Sequence, residues 1–443
     1  MNQSKLFAIA AAAAVMVSCG NKEDGGGSTP LTPEENKEKL DRIGMDVINM
    51  INPANHEDFC EAVDHFVEFS DEGNLGDVFH DPNAYSLMAS TMQALKTACT
   101  KGDISGLLTK TEVTDYIYRA EDYYGVYNYR NGRWTYTEDD SKLEFRYSFN
   151  GDDIVATAVA SGEESLVSYT DRWTEPGYED WNGNYHPGEE YEDNYEVYVP
   201  EKVEVNFTKN GESLASVTVN TDCQMNDHVN IDVSYAVADM DGSVAVDLDN
   251  SNGSASYSLN MGGRNIVTGS TVFSGSDMAD PDEVINDPEN AVRGAEAEVI
   301  ILDEARVYGK CTNMAGYIGK MEDLDNEYEH MVGYDYYYTK DYNEESAELF
   351  NEYFSFELSY LPGKARVASL FAQCFFDEDY SYWDGNEWTE GGYGVEPVLK
   401  FDIDGSEFSI ESYFSESNFG SIVNSVEDLG EIYEGYFPYC FGY

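Results

Sequence analysis

The chain has 443 residues, 42% of them hydrophobic and 14% aromatic, which is too much apolar material for a disordered protein and enough chain for two domains or one large one. Lys and Arg number 25 against 86 Asp and Glu, a formal net charge of -61. A field of that sign repels phosphate backbones and anionic membrane surfaces, so nucleic acid is excluded as a partner.

The first 18 residues have the layout of a secretory signal peptide, with Lys5 in a short polar head followed by an apolar, alanine-rich run. That run is too short to span a membrane. The next motif, Met16-Val17-Ser18-Cys19, resembles the lipobox of bacterial lipoproteins, although Met16 replaces the usual Leu. The resemblance implies that Cys19 is lipidated and becomes the mature N-terminus, anchoring the chain to a membrane. The alternative is an ordinary cleaved signal with an incidental cysteine.

Residues 19–31 read as a flexible tether, because a Gly-Gly-Gly-Ser-Thr-Pro run follows the anchor. Directly after Cys19, the sequence Lys22-Glu23-Asp24 resembles the basic-then-acidic export signal that sends some Gram-negative lipoproteins to the cell surface. The resemblance implies an outer-membrane, lipid-anchored protein that faces the cell exterior.

Residues 32–110 are predicted to form a helical segment. Thr32-Pro33-Glu34-Glu35 supplies a cap, a proline at the first helical position and acids in the first turn. A second helix is predicted from about Asn55 to Phe69, and a third from Pro82 to about Cys99, each with apolar residues at helical spacing.

Residues 111–276 are predicted to form an antiparallel β-meander, since the apolar period changes to two and turn dipeptides recur. The strongest hairpin signals are Asn131-Gly132, Asn150-Gly151, Asn210-Gly211, Asp241-Gly242 and Asn252-Gly253. One apolar and one polar face along these strands indicate a sheet that is buried on one side.

Residues 277–294 are predicted to be a connector, and 295–443 an α+β continuation of the sheet. We expect one long strand over 297–309, helices over 313–324 and 343–354, and strands over 356–361, 365–376, 398–403 and 408–413. A final amphipathic helix carries an apolar stripe that must pack on another element, and the sheet is the expected partner. Its residues are Phe419, Ile422, Val423, Val426, Leu429, Ile432 and Tyr433.

The predicted fold class is therefore α+β, with N-terminal helices, a long antiparallel meander forming a curved sheet or half-barrel, and a C-terminal amphipathic helix. This layout is similar to the half-barrel of lipoprotein carriers that hold acyl chains, without any shared motif. The alternative is that the helices fill the concave face of the sheet and leave no cavity.

One insertion suggests calcium binding. Asp180, Asn182 and Asn184 occupy the first, third and fifth ligand positions of an EF-hand-like loop, and Glu189 is a candidate closing acid. However, Tyr185 replaces the turn glycine and Glu189 comes two residues early, so a solvated acidic hairpin loop is the alternative.

Loop aromatics are the second candidate site. Trp181, Trp383 and Trp388 could stack on sugars or peptides, whereas cross-strand aromatic pairing would explain them without a ligand. The run from Tyr334 to Tyr338 raises the same choice, because half of its tyrosines would point outward from a strand.

His56, Cys60 and Asp64 share one helical face and suggest zinc, but they lack a fourth ligand, and helix packing is the alternative. The six cysteines besides Cys19 permit disulfides or buried free thiols. The GxSxG, HExxH, P-loop and GxGxxG signatures are missing from the sequence, which favours binding over catalysis.

The sequence therefore predicts a lipid-anchored surface protein with a ligand-binding, partner-binding or structural role. A lipid-carrying half-barrel and a protein that binds or hydrolyses glycans are the alternatives. The ligand itself, whether glycan, lipid or protein, stays open.

Overall fold

The structure is a computed structural model, and it describes residues 31–79, 117–174, 178–179, 185–186, 190–224, 227–280, 282–283, 292–332, 335–363, 365–383 and 388–441. The chain divides into two compact units. Unit 1 comprises Met1–Ile51, Ser254–Ser276 and Glu289–Asp428, and unit 2 comprises Asn52–Gly253, Asp277–Pro288 and Leu429–Tyr443. Helices and mostly antiparallel strands make up both, which confirms the predicted α+β class.

The N-terminal helices are α1 (Pro33–Met50), α2 (Glu57–Glu72) and α3 (Leu75–Val78), with a 3₁₀ turn at Pro53–Asn55. α1 starts at the predicted cap: the Glu35 amide donates to Thr32 Oγ1 and the Thr32 amide donates to Glu35 Oε2. This reciprocal capping box satisfies two amides that the helix itself cannot pair. The predicted helix from Pro82 to Cys99 lies outside the described residues.

The strands of unit 2 are β1 (Ile117–Tyr118), β2 (Gly125–Arg130), β3 (Arg133–Thr137), β4 (Leu143–Phe149), β5 (Asp152–Thr174), β6 (Tyr178–Glu179), β7 (Tyr185–His186), β8 (Glu190–Lys209), β9 (Glu212–Gln224), β10 (His228–Val237) and β11 (Met240–Asp249). A 3₁₀ turn at Ala120–Tyr123 precedes β2. Successive strands from β4 to β11 pair antiparallel, apart from the separate β6–β7 hairpin, while β2 pairs parallel with β4 and β1 parallel with β8.

Three of the five predicted turns are present. The turns predicted at Asp241-Gly242 and Asn252-Gly253 were wrong, because Asp241 and Gly242 pair within β11 and Asn252 and Gly253 begin the strand Asn252–Met261. Asn131, Asn150 and Asn210 have φ values of 55°, 50° and 55°, and the glycine after each also has positive φ. Positive φ at both central residues is the conformation whose twist matches two adjoining antiparallel strands. These short turns therefore fix the register of the hairpins that they close.

The core of unit 2 lies between α2–α3 and one face of β2–β5. It is largely aromatic: Trp134 is 2% exposed, and its Nε1 donates to the Phe69 carbonyl at 2.7 Å. The Phe66 ring lies 5.0 Å from Phe145, edge on. Such rings bury large apolar areas and add geometry-dependent attraction. Helices thus cover this part of the sheet, as in the filled-face alternative to a lipid cavity.

Unit 1 contains the strands β12 (Asn252–Met261), β13 (Arg264–Gly275), β14 (Val292–Ile301), β15 (Ala305–Cys311), β16 (Phe354–Tyr360), β17 (Ala365–Trp383), β18 (Trp388–Phe401) and β19 (Glu407–Ser409). The first two residues of β12 precede the start of this part of unit 1 at Ser254. Neighbouring strands from β13 to β19 pair antiparallel in sequence order. Further helices are α4 (Met314–Val332), α5 (Lys340–Tyr353), α6 (Ile410–Tyr413), α7 (Glu416–Tyr436) and α8 (Pro438–Phe441), the last in unit 2. Within the described residues, none of the helices combines the length and the hydropathy that a membrane span requires.

Three further local predictions were wrong. The long strand expected over 297–309 is the β14–β15 hairpin, which turns at Leu302 and Asp303 with positive φ at both and no glycine. The strand expected over 408–413 ends at Ser409, whose hydroxyl accepts from the Ser412 amide and caps α6. The tyrosines expected in a strand instead form a 3₁₀ turn at Tyr336–Tyr338.

The apolar stripe of the C-terminal helix is buried only at its start. Phe419 is fully buried and Ile422 is 2% exposed, whereas Val426 and Ile432 are 47% and 43% exposed. In unit 1, α7 packs on α1, because a Cβ at Gly44 would collide with the Ile422 side chain. The packing partner at Ile422 is thus a helix rather than the expected sheet.

Candidate functional site

The most distinctive exposed feature of unit 1 is a group of aromatic side chains at the β17–β18 hairpin and the adjacent 3₁₀ turn. We call it the aromatic surface, and its members are Tyr336, Tyr337, Tyr338, Phe376, Tyr382 and Tyr393. Phe376 is 52% exposed and Tyr337 is 44% exposed. Large side chains this open, grouped in one place, are typical of a contact site rather than of isolated surface residues.

The rings form two contact sets, one of four tyrosines in series and one of Phe376 with Tyr393. Tyr336 and Tyr337 have centroids 5.6 Å apart, Tyr337 and Tyr338 4.6 Å, and Tyr338 and Tyr382 6.0 Å. Phe376 lies edge-on against Tyr393 at 5.2 Å. These separations lie in the favourable range for aromatic pairs, so the rings support one another's orientation while leaving part of their faces open.

A bulge in the hairpin places Phe376. Asp377 pairs with Gly392 and Ser381 with Glu390, so residues 378–380 of β17 are opposed by Gly391 alone. Gly391 has a φ of +79°, and a Cβ there would collide with the Phe376 ring. Glycine is required at this position both for the backbone conformation and for the space beneath the ring.

A buried amide holds the tyrosine turn in place. Asn343 is 4% exposed, and its Nδ2 donates to the carbonyls of Tyr337 and Thr339 at 2.8 Å each and to that of Tyr393 at 3.2 Å. One side chain of α5 therefore joins the 3₁₀ turn to β18. Because buried amides gain most from full pairing, this link rigidifies the turn and fixes it beside the hairpin.

A second asparagine of α5, Asn351, bonds to the backbone of β17 at Ala372, beyond the last residue of β17 that pairs with β16. Asn351 donates from Nδ2 to the Ala372 carbonyl and accepts from the Ala372 amide, both at 2.8 Å. The side chain thus replaces a neighbouring strand at a point where the backbone groups of β17 would otherwise lack one. This contact anchors the helix on the hairpin that carries Phe376.

Carboxylates surround the tyrosines. Tyr342 Oη donates to Asp325 Oδ1 at 2.6 Å, and Tyr328 Oη donates to Glu345 Oε1 at 2.9 Å. Burial and the hydrogen bond to Glu345 raise the pKa of Tyr328 to about 12. Burial, then the charge of Asp335, raises the pKa of Tyr337. The phenols therefore stay neutral at physiological pH, in a negative local field.

Most of the predicted site residues lie outside the described residues: Cys19, Asp180, Trp181, Asn182, Asn184 and Glu189. The calcium loop therefore stays a prediction. In the β17–β18 pair, the Cα register partner of Trp383 is Trp388. Trp388 is 69% exposed, so the stacking hypothesis also keeps an accessible ring.

Sequence reasoning overlooked Phe376 and Tyr393. Two consecutive glycines, Gly391 and Gly392, interrupt an otherwise strand-like segment, and this is the signal of a bulge that could have indicated the site.

The zinc hypothesis at the second helix does not fit the contacts. His56 is 2% exposed, its Nδ1 bonds to Tyr433 Oη at 2.5 Å, and its Nε2 bonds to Asp239 Oδ1 at 2.9 Å. Asp64 accepts from the Tyr439 amide. Across the part of the chain that the structure describes, no group of His, Cys, Asp and Glu could hold a metal ion. His56 and Asp64 instead fasten the C-terminal residues of unit 2.

Four of the cysteines are free thiols: Cys60, Cys223, Cys311 and Cys374. Burial raises the pKa of Cys60 to about 11 and raises those of the other three. Because the thiolate is the reactive form, these groups have the character of inert packing residues. Free thiols were one of the two predicted states for these positions.

Comparisons with known proteins add little. No family model matches the sequence, and no curated protein matches it. Among solved structures, the chain is similar to a porin-like protein from Bacteroides vulgatus ATCC 8482, with a TM-score of 0.16 and 8% identity over 64% of this chain and 88% of that one. A TM-score this low carries no inference about fold, function or location.

Proposed function

We propose that the chain is a lipid-anchored outer-membrane protein that faces the cell exterior and binds a ligand or partner through the aromatic surface of unit 1. The observation that carries the binding role is a group of exposed and partly exposed rings beside a buried asparagine, Asn343, that bonds to the backbone of both the tyrosine turn and β18. A rigid aromatic platform loses little conformational entropy on binding, which is why aromatic residues are enriched at recognition sites.

The proposed cellular location rests on the sequence. The signal-like head, the lipobox resemblance ending at Cys19 and the following Lys22-Glu23-Asp24 support an anchor with surface display. Metabolic labelling with a fatty acid should mark the wild-type chain and not Cys19→Ala. Protease treatment of intact cells should cleave the wild-type chain, and resistance to it would contradict surface display.

The binding role is tested with panels of immobilised peptides and of oligosaccharides. We expect signals that Tyr337→Leu and Phe376→Leu abolish. Tyr257→Leu is the matched control, because Tyr257 is 42% exposed, close to Tyr337, and lies in the same unit but on β12. If no signal depends on Tyr337 or Phe376, the aromatic surface is not a binding site.

The glycan alternative uses the same rings, since sugars also stack on exposed aromatics, and the oligosaccharide panel tests it. The lipid-carrier alternative needs an apolar cavity, whereas α2 and α3 pack on one face of β2–β4 and on the start of β5 in unit 2. Organic extraction of the purified protein that yields bound lipid would support the carrier.

A further inference from the structure

We infer that the aromatic surface binds a cationic polypeptide segment, one that carries Arg or Lys side chains. This inference rests on the proposed function and names its ligand class. It is drawn from the juxtaposition of exposed rings with carboxylates that are held in place.

The first step is the arrangement of the carboxylates. Tyr337 Oη lies 3.4 Å from Asp335 Oδ1, and Tyr342 Oη lies 2.6 Å from Asp325 Oδ1. The Tyr342 ring in turn lies 5.0 Å from Tyr336, edge on. Asp325 also raises the pKa of Tyr336, after burial itself. The turn at Tyr336–Tyr338 is thus flanked by two negative charges: Asp325 on α4, and Asp335, which directly precedes the turn.

The second step concerns Lys340, a basic residue that follows the tyrosine turn. Lys340, at the start of α5, forms an ion pair with Glu344 at 3.0 Å. Glu344 therefore balances the charge of Lys340 within the same helix. The hairpin adds further acids, and Glu378 and Glu390 are both exposed. The field at the aromatic surface is negative locally, in addition to the net charge of the whole chain.

The third step is the ligand chemistry. Phosphorylated or sulfated ligands are repelled by this field, and a neutral glycan has no net charge for the field to attract. A guanidinium or ammonium group gains twice, from the negative face of a tyrosine ring and from the adjacent carboxylates. Arginine adds a planar group that stacks on aromatic rings. Charge complementarity therefore selects a basic polypeptide.

The test uses the full chain in detergent micelles and three probes. The first is a flexible Gly-Ser peptide with interspersed arginines, the second is the same peptide with citrulline, and the third is a neutral linear oligosaccharide. Citrulline keeps the planar shape of arginine and removes its charge. We expect the arginine peptide to bind about tenfold more tightly than the citrulline peptide, and the ratio to shrink as salt is raised.

Variants separate the site from the general acidity of the chain. Tyr337→Leu and Phe376→Leu should weaken the arginine peptide about tenfold, and Asp325→Asn and Asp335→Asn should weaken it severalfold while leaving the citrulline peptide unchanged. Asp303→Asn is the charge control, since Asp303 is exposed, lies in the β14–β15 turn of the same unit, and asparagine tolerates its positive φ.

The outcomes distinguish a cationic ligand from a general effect of net charge and from a different ligand at the same surface. Equal losses from Asp303→Asn and Asp335→Asn would mean that only net charge is sensed, which overturns the inference. Tighter binding of the oligosaccharide or the citrulline peptide, abolished by Phe376→Leu, would overturn the cationic ligand and leave the proposed function standing. If no probe responds to Tyr337→Leu or Phe376→Leu, the inference and the proposed function both fail.

Discussion

Gly73, at the C-terminal end of α2, offers the sharpest test of the packing in unit 2. Its φ of -86° is open to any residue, so backbone conformation does not require glycine there. The space around Gly73 does require glycine. An added Cβ would lie 2.6 Å from the Phe69 carbonyl oxygen, 2.6 Å from Tyr129 Cε2 and 2.8 Å from Trp134 Cδ1. We therefore expect Gly73→Ala to destabilise unit 2 by overpacking.

The size of the effect follows from what would have to move. Trp134 is 2% exposed and its Nε1 donates to the Phe69 carbonyl, so the indole cannot retreat without losing that hydrogen bond. Overpacking a well-filled core costs about 1–3 kcal/mol, and a lost hydrogen bond costs about 1 kcal/mol more. The free energy of unfolding should fall by about 2–4 kcal/mol.

Urea unfolding, followed by tryptophan fluorescence, measures this change. The control is Gly435→Ala, because Gly435 lies inside α7, in unit 2, with nothing within 4 Å of an added Cβ. Helix propensity alone predicts that this control gains up to about 1 kcal/mol. A Gly73→Ala protein within about 0.5 kcal/mol of wild type would refute the close packing of Trp134 and Tyr129 around Gly73.

Three further predictions concern buried polar groups. Burial acts to raise the pKa of Glu144, but hydrogen bonds from Lys142 and Arg146 and their charges outweigh it and leave the pKa lowered. Glu144→Gln should therefore be less stable in urea at neutral pH, and the difference should vanish as pH falls below the ordinary value of 4.5, through the lowered one. Burial raises the pKa of Tyr147 far above its ordinary value of 10, so near-ultraviolet absorbance should show it un-ionised until the protein unfolds, with stability falling above pH 10. Asn36 is fully buried, donates to Tyr413 Oη and accepts from Tyr360 Oη, so Asn36→Leu should cost about 2–4 kcal/mol in urea unfolding, and Tyr360→Phe in that background should cost little more.

The elements that the sequence predicted are those set by local chemistry. The turns at Asn131, Asn150 and Asn210 need positive φ at adjacent positions, and asparagine and glycine are the residues that accept it at low cost. The start of α1 likewise depends on Thr32 and Glu35, three residues apart. Both signals can be read without knowing what the rest of the chain does.

The predictions that were wrong depend on contacts distant in sequence. Leu302 and Asp303 make a tight turn without glycine, because the pairing of Val299 with Val307 and its neighbours holds both strands in register. Leu302 is 9% exposed and its amide donates to the Ile266 carbonyl on β13, so burial and a third strand support the unusual conformation. No pattern within residues 297–309 contains that information.

The candidate site combines both kinds of information. The tyrosine run and Trp388 were visible in the sequence, but their relation to Phe376 depends on the bulge opposite Gly391 and on Asn343, whose three acceptors come from the 3₁₀ turn and β18.

The acidic residues also show the difference between what the sequence reveals and what only the fold reveals. With 86 acids in the chain, no single carboxylate was informative from sequence alone. α4 and its neighbouring turn place Asp325 and Asp335 beside phenols, which converts a diffuse charge into a local one. A diffuse charge keeps a protein apart from other anions, whereas a local charge beside open rings also selects a cation. The geometry therefore gives part of the chain's acidity a recognition role, in addition to the solubility that composition alone would assign to it.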